Sequence, residues 1–244
     1  MINTLSPSVF QHSPTSAQSA EPASDAPILL RNRRNIGEPR RYWPQHSTIK
    51  IAIFDHATDS SYVKAIKKAA SEWLPHINLK FDFVAGKKGD VRIEAAHTLS
   101  GSSAIGTMAK RTGQSIPSMV LPMNHQHPRF AFVVMHEFGH MLGAHHAHQH
   151  PDSHIPWNTE QAYAYYKRAH NMSRSAVDDN ILPLPESRRY ALLPYDADSV
   201  MHYEIKPGIT DGNWGQSETW SLSDDDIAWA KQAYPKEQLA EPLT

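Results

Sequence analysis

The chain has 244 residues, 40% of them hydrophobic, enough to bury a sizeable core as one large domain or as two small lobes around a cleft. Its 24 Lys and Arg against 25 Asp and Glu leave a net charge of −1, which gives no electrostatic reason to expect a nucleic-acid or anionic-membrane partner. Cysteine is absent while histidine reaches 16, so disulfides, a cysteine nucleophile and thiolate metal sites are excluded, and any bound metal must be held by imidazole and carboxylate.

Residues 1–27 are rich in Ser, Pro, Ala and Gln, a composition that cannot bury enough surface to offset the entropy of ordering. Arg31, Arg33, Arg34, Arg40 and Arg41 then surround Gly37 and Pro39, a basic run without aromatics that reads as a solvated linker. The expected division is a disordered leader and linker over 1–41 and a single folded domain over 42–244, acting as a monomer. No apolar run is long enough to cross a bilayer, and the basic start followed by an apolar stretch that marks a secretory signal is missing. Residues 1–27 then suggest export by a non-classical route, as an injected effector; the alternative is a cytoplasmic protein.

Ile49, Ile51 and Ile53 alternate with polar or small residues, the period of a half-buried strand. Asp59 or Ser60 can cap a helix carrying Val63, Ile66, Ala70 and Trp73 on one face, ended by Pro75. Leu79, Phe81 and Phe83 suit a second strand and Val91 and Ile93 a third, across the turn at 86–90. A loop or short strand follows over Ser100 to Gly106, then a strand from Ser118 to Leu121 before Pro122. Pro128 suits the first turn of a helix whose buried stripe is Phe130, Val133, Val134, Phe138 and Met141. Beyond Asp152 the chain reads as loops, a helix near Thr159 to Asn171 and a last helix from Ser223, its first turn favoured by Asp224, Asp225 and Asp226. Trp229 and Tyr234 are expected to pack inward.

Chemistry concentrates in the stretch His-Glu-Phe-Gly-His-Met-Leu-Gly-Ala-His-His from His136. His136 and His140, four apart on a helix, place their imidazoles one turn apart on one face, close enough for one zinc ion. Gly143 lets the chain leave the helix through a left-handed residue, so that the turn can deliver His146 as third ligand, with His145 one residue short of that spacing. Glu137 is then placed to act as general base, taking a proton from the water a zinc ion activates and passing it to the leaving amine. Nine histidines fall between His125 and His154, yet such a five-residue pattern arises by chance in only roughly one comparable chain in a thousand. His145, His148, His150 and His154 are expected to line a solvated loop.

A second segment, Ser199-Val200-Met201-His202-Tyr203, offers an apolar thioether as a floor for the site and a phenol two residues later. Together the two segments resemble the astacin family of metzincins, whose members share His-Glu-x-x-His-x-x-Gly-x-x-His and a Ser-Ile-Met-His-Tyr turn; serralysins are similar, with Ser at the position of His202. The resemblance spans about Tyr42 to Pro235 and implies an α+β, zincin-like fold. Its N-terminal lobe would hold a twisted mixed sheet and helices, including the zinc-binding helix, and its C-terminal lobe mainly loops and helices. It further implies one Zn2+ per chain on His136, His140 and His146, Glu137 as base, and Tyr203 as a fifth ligand that swings away to stabilise the transition state. Two features depart from the family: Ala147 stands where astacins have a glutamate that helps anchor the mature N-terminus, and their disulfides are missing.

The resemblance also implies an extended protein or peptide substrate bound along an edge strand, for which Ser103, Ala104, Ile105 and Gly106 are the candidates. The expected activity is a zinc endopeptidase. The alternatives are a module that keeps the fold without catalysis and an intracellular housekeeping peptidase.

Overall fold

The computed structural model describes residues 36–236, and the part of the expected leader and linker over 1–35 lies outside them. Four strands of the main sheet are parallel: β2 (Thr48–Ile53), β3 (Lys80–Val84), β4 (Val91–Ala96) and β6 (Met119–Pro122). The short antiparallel β5 (Ser102–Ser103) closes one edge, giving the order β3-β2-β4-β6-β5. A separate pair joins β1 (Ile36–Gly37) to β7 (Ala191–Leu192).

Alternation in β2 works as read, since Ile49, Ile51 and Ile53 are buried beside Val91 and Ile93 of β4. Helix α1 (Ser61–Ala70) begins where the Ser60 hydroxyl accepts from the Val63 amide at 3.3 Å, and it buries Val63, Ile66 and Ala70. The α-helix stops at Ala70 rather than at Pro75 and continues as a 3-10 segment, Ser71–His76. Pro75 cannot sit inside an α-helix because its ring meets the carbonyl four residues back. The tighter winding still buries Trp73, whose indole N–H donates to the Met135 carbonyl at 3.0 Å.

Helix α2 (Phe130–Leu142) starts two residues after Pro128 and is buried on nearly every side, as a helix crossing the middle of a core must be. The C-terminal part holds α3 (Thr159–His170), α4 (Arg174–Asn180) and α5 (Asp224–Ala233). A small second core of Ile155, Ala162, Tyr166, Val177, Ile181, Ile205 and Ile209 joins the first two of these to the loops. Trp229 and Tyr234 pack inward against the main core.

Residues 36–38, assigned to the linker from sequence, are packed, whereas Pro39 and Arg40 are exposed. Ile36 and Glu38 are buried, the Glu38 amide donates to Gly143 O at 3.0 Å, and the His145 amide donates to Ile36 O at 2.8 Å. A strand of two residues carries no readable period, which is why alternation missed it.

Candidate metal centre

Three imidazoles meet at the exit of α2. His136 and His140 share one face of the helix, with ring centroids 4.8 Å apart. Gly143 ends the helix at φ +106°, a conformation open to glycine. The chain then turns back, and His146 arrives with its ring 4.6 Å from His140 and 5.3 Å from His136. His145, the rival by spacing, points elsewhere: its Nε2 lies 3.1 Å from the Glu38 carboxylate. That carboxylate also accepts from Arg41 and Arg189, so burial raises its pKa while Arg189 and His145 bring it below the ordinary value.

The tautomers follow from the partners. His136 Nδ1 faces Val200 O at 2.9 Å, His140 Nδ1 faces Ala144 O at 2.9 Å, and His146 Nδ1 faces Gln149 Oε1 at 3.2 Å. Gln149 presents its oxygen there because its amide nitrogen donates to Asp179 O and Leu182 O at 3.1 and 3.2 Å. It can reach because Ala147–Gln149 is one 3-10 turn, which sets residue 149 directly above residue 146. Each Nδ1 therefore carries its proton, and the three Nε2 lone pairs are left facing one another.

His140 Nε2 and His146 Nε2 lie 3.0 Å apart, and buried His136 Nε2 has no hydrogen-bond partner. Burial keeps the rings uncharged, taking the His136 pKa down to about 4 and those of His140 and His146 well below the ordinary histidine value. Clustered lone pairs without a proton between them fit a cation. Among the described residues this trio is the group of His, Cys, Asp or Glu that could hold a metal, its ligand atoms all within 4.8 Å of one another.

Glu137 is buried beside the trio with Oε2 unpartnered; burial raises its pKa to about 8, against a downward pull from Arg129. Tyr203 stacks on His136 at 5.4 Å and lies 4.1 Å from His146, and burial raises the pKa of its phenol. The turn before it is anchored from α5. Asp226 accepts from Ser199 Oγ at 2.6 Å and from the Val200 amide at 2.8 Å, and the same carboxylate closes the capping box with Ser223. Met201 lies under α2 at Gly139, where a Cβ would come within 2.3 Å of its sulfur, so only glycine admits the close approach.

A cleft of about 510 Å³ opens onto His136, Glu137 and Tyr203. Arg129, paired with Glu218 and donating to Leu99 O at 2.7 Å, braces one side. The edge strand lies beside this cleft but is shorter than expected. Ser103 pairs with Met119, the Ala104 amide is consumed by Ser118 O at 2.8 Å, and Ile105 leads into a 3-10 segment that buries Gly106. Ser100 and Gly101, just before that strand, line the cleft in place of Ser103 to Gly106.

Two expectations for the remaining histidines change. His148 and His150 are buried, not on a solvated loop, whereas His154 is exposed. Gln149 and Asp226 were missed as supports of the site. Both had a readable signal: Gln149 stands three residues after the third histidine, and Asp226 three residues before Trp229, on the inward face of α5.

The family model described as Astacin, a peptidase family, matches residues 35–214, more than half of the chain. The chain belongs to the astacin family. This is a family of zinc metalloendopeptidases that bind one zinc, so the chain is a metal-dependent peptidase and the histidine trio is where its metal fits. Two solved structures of myroilysin, each 28% identical, match it with TM-scores of 0.75 and 0.60; they cover 83% and 80% of this chain, which in turn covers 100% and 86% of theirs. High choriolytic enzyme 1, a hatching enzyme zinc-protease from Oryzias latipes (Medaka fish), shares the fold at a TM-score of 0.53 and 17% identity, over 79% of this chain and 93% of that one. No curated protein sequence matches the chain. The astacin match starts at residue 35, in step with the buried residues Ile36 and Glu38, and at Ala147 this chain buries a small side chain where the resemblance implies a glutamate.

Proposed function

We propose that the protein is an endopeptidase in which His136, His140 and His146 hold the zinc, Glu137 is the general base and Tyr203 stabilises the transition state. Zinc bound there supplies a Lewis acid and makes a water acidic near neutral pH. Glu137 would take a proton from the attacking water and give it to the departing amine. Tyr203 donates its phenolic hydrogen toward the developing oxyanion. Val200, Ala144 and Gln149 hold the imidazoles in the tautomer that keeps each Nε2 free, and the paired Arg129 and Glu218 line the cleft in front of them.

The observation that carries this reading is the buried, unpartnered Glu137 oxygen beside three converging Nε2 atoms. A mixed peptide library incubated with and without chelator tests it. Wild type should generate new termini that the chelator abolishes, and Glu137→Gln should retain zinc while cleavage falls about 10²–10⁴-fold. Unchanged cleavage by Glu137→Gln would defeat the assignment of the base. Absence of cleavage by the wild type would favour a binding module, a reading the intact Glu137 and Tyr203 oppose.

Delivery outside the producing cell by a non-classical route is part of the proposal, supported by the Ser-, Pro-, Ala- and Gln-rich composition of residues 1–27. A tagged copy that stays within the producing cell would point instead to a housekeeping peptidase.

A further inference from the structure

Polar side chains that are fully buried without charge partners need a reason to be there, and His148 is such a group, with 0% of its surface exposed. Its two nitrogens serve two distant backbones. The Tyr203 amide donates to Nδ1 at 3.4 Å, which leaves the proton on Nε2 to be donated to Asn180 O at 3.3 Å. Its ring stacks on Tyr203 with centroids 4.8 Å apart and planes within 22°. One imidazole thus touches the Tyr203 ring and binds the Tyr203 backbone, and it ties both to the C-terminal end of α4.

We propose that His148 is a positioning residue for Tyr203, setting the angle at which the phenol faces the three histidines. The inference rests on the role of Tyr203 proposed above. Apolar packing alone would hold a tyrosine ring without fixing its direction, whereas a stacked ring bonded to the same residue's amide constrains both ring and backbone. His148 also lies 5.1 Å from His146, so the test must separate an effect on the phenol from an effect on the metal ligand.

The test is a double-mutant cycle of His148→Phe and Tyr203→Phe, read in kcat, in zinc affinity by competition with a chelator, and in the absorption of the copper-loaded proteins. Copper(II) accepts imidazole ligands, and a phenolate that reaches it gives a charge-transfer band, so the band reports where Tyr203 sits. The expected result is that each single variant lowers kcat about 10–100-fold with KM unchanged, and that His148→Phe weakens zinc binding no more than Tyr203→Phe does. The double variant should be no slower than Tyr203→Phe alone, and His148→Phe should weaken the copper band that Tyr203→Phe abolishes. Should His148→Phe fail to fold, His148→Gln, which keeps a donor and an acceptor but no ring, carries the same comparison.

Additive losses in the cycle, a full copper band in the His148 variant, or lost zinc affinity with the band intact would each overturn the inference. If Tyr203→Phe itself keeps full activity, or copper-loaded wild type shows no band, the reading of Tyr203 fails and the inference falls with it.

Discussion

The half of the molecule from β2 to the end of α2 and the half from Ala144 to Glu218 are stabilised in different ways. In the first, long periodic elements bury Ile, Val, Phe and Trp side chains in one large core. In the second, short turns and two helices share a small core, and much of the order comes from specific polar bonds: Gln149 to His146, His148 to Tyr203, and the Val200 amide to Asp226 of α5. The metal centre lies where they meet, with two ligands on the rigid helix and the third on the turn. A rigid frame tolerates no loss of volume, whereas a polar scaffold tolerates no loss of a specific atom. Damage to the first should therefore appear in stability and damage to the second in metal binding.

Trp73→Ala offers the largest test of that contrast. It empties a fully buried indole site and removes the indole hydrogen bond to the Met135 carbonyl, so unfolding stability should fall by about 3–5 kcal/mol. Turnover by the remaining folded fraction should not change, and denaturant unfolding alongside active-site titration would show both.

Asp226→Asn comes next. It removes one of the two acceptor oxygens that hold the Ser199 hydroxyl, the Val200 amide and the Ser223 amide, which should cost about 1–3 kcal/mol. Because Val200 O fixes the His136 tautomer, zinc affinity should also drop about 10–100-fold. Metal competition would detect this, and a variant that lost only stability would erase the distinction between the two halves.

The smallest effect is expected at Glu38, which joins Ile36–Arg41 to His145 and Arg189. Its carboxyl has a pKa below the ordinary value in the folded chain. Its ionised form therefore adds stability above the unfolded pKa, and that contribution is lost as pH falls through the folded value. Glu38→Gln should be less stable than wild type by about 1 kcal/mol at neutral pH. The two proteins should converge in acid, which unfolding curves across pH would reveal.

The same division explains what could be read from sequence. Ile49, Ile51 and Ile53 declared their strand, the pair Asp59 and Ser60 the start of α1, Ser223 the start of α5, and the spacing of His136, His140 and His146 the metal trio, because each signal is local. Solvent exposure could not be read for His148, since its partners stand 32 and 55 residues further along the chain. Nor could the packing of Ile36 and Glu38, whose order depends on Gly143 and Arg189 rather than on any pattern of their own. Polar residues in a histidine-rich run look solvated until distant backbone closes over them.

The central claim, three neutral imidazoles presenting Nε2 to one ion, is tested most directly by metal analysis of the purified wild type beside single Ala variants at His136, His140, His146 and His145. One zinc per chain in wild type and in His145→Ala, with loss in each of the other three, is the outcome this geometry predicts. Full zinc in any of those three, or none in the wild type, would contradict it.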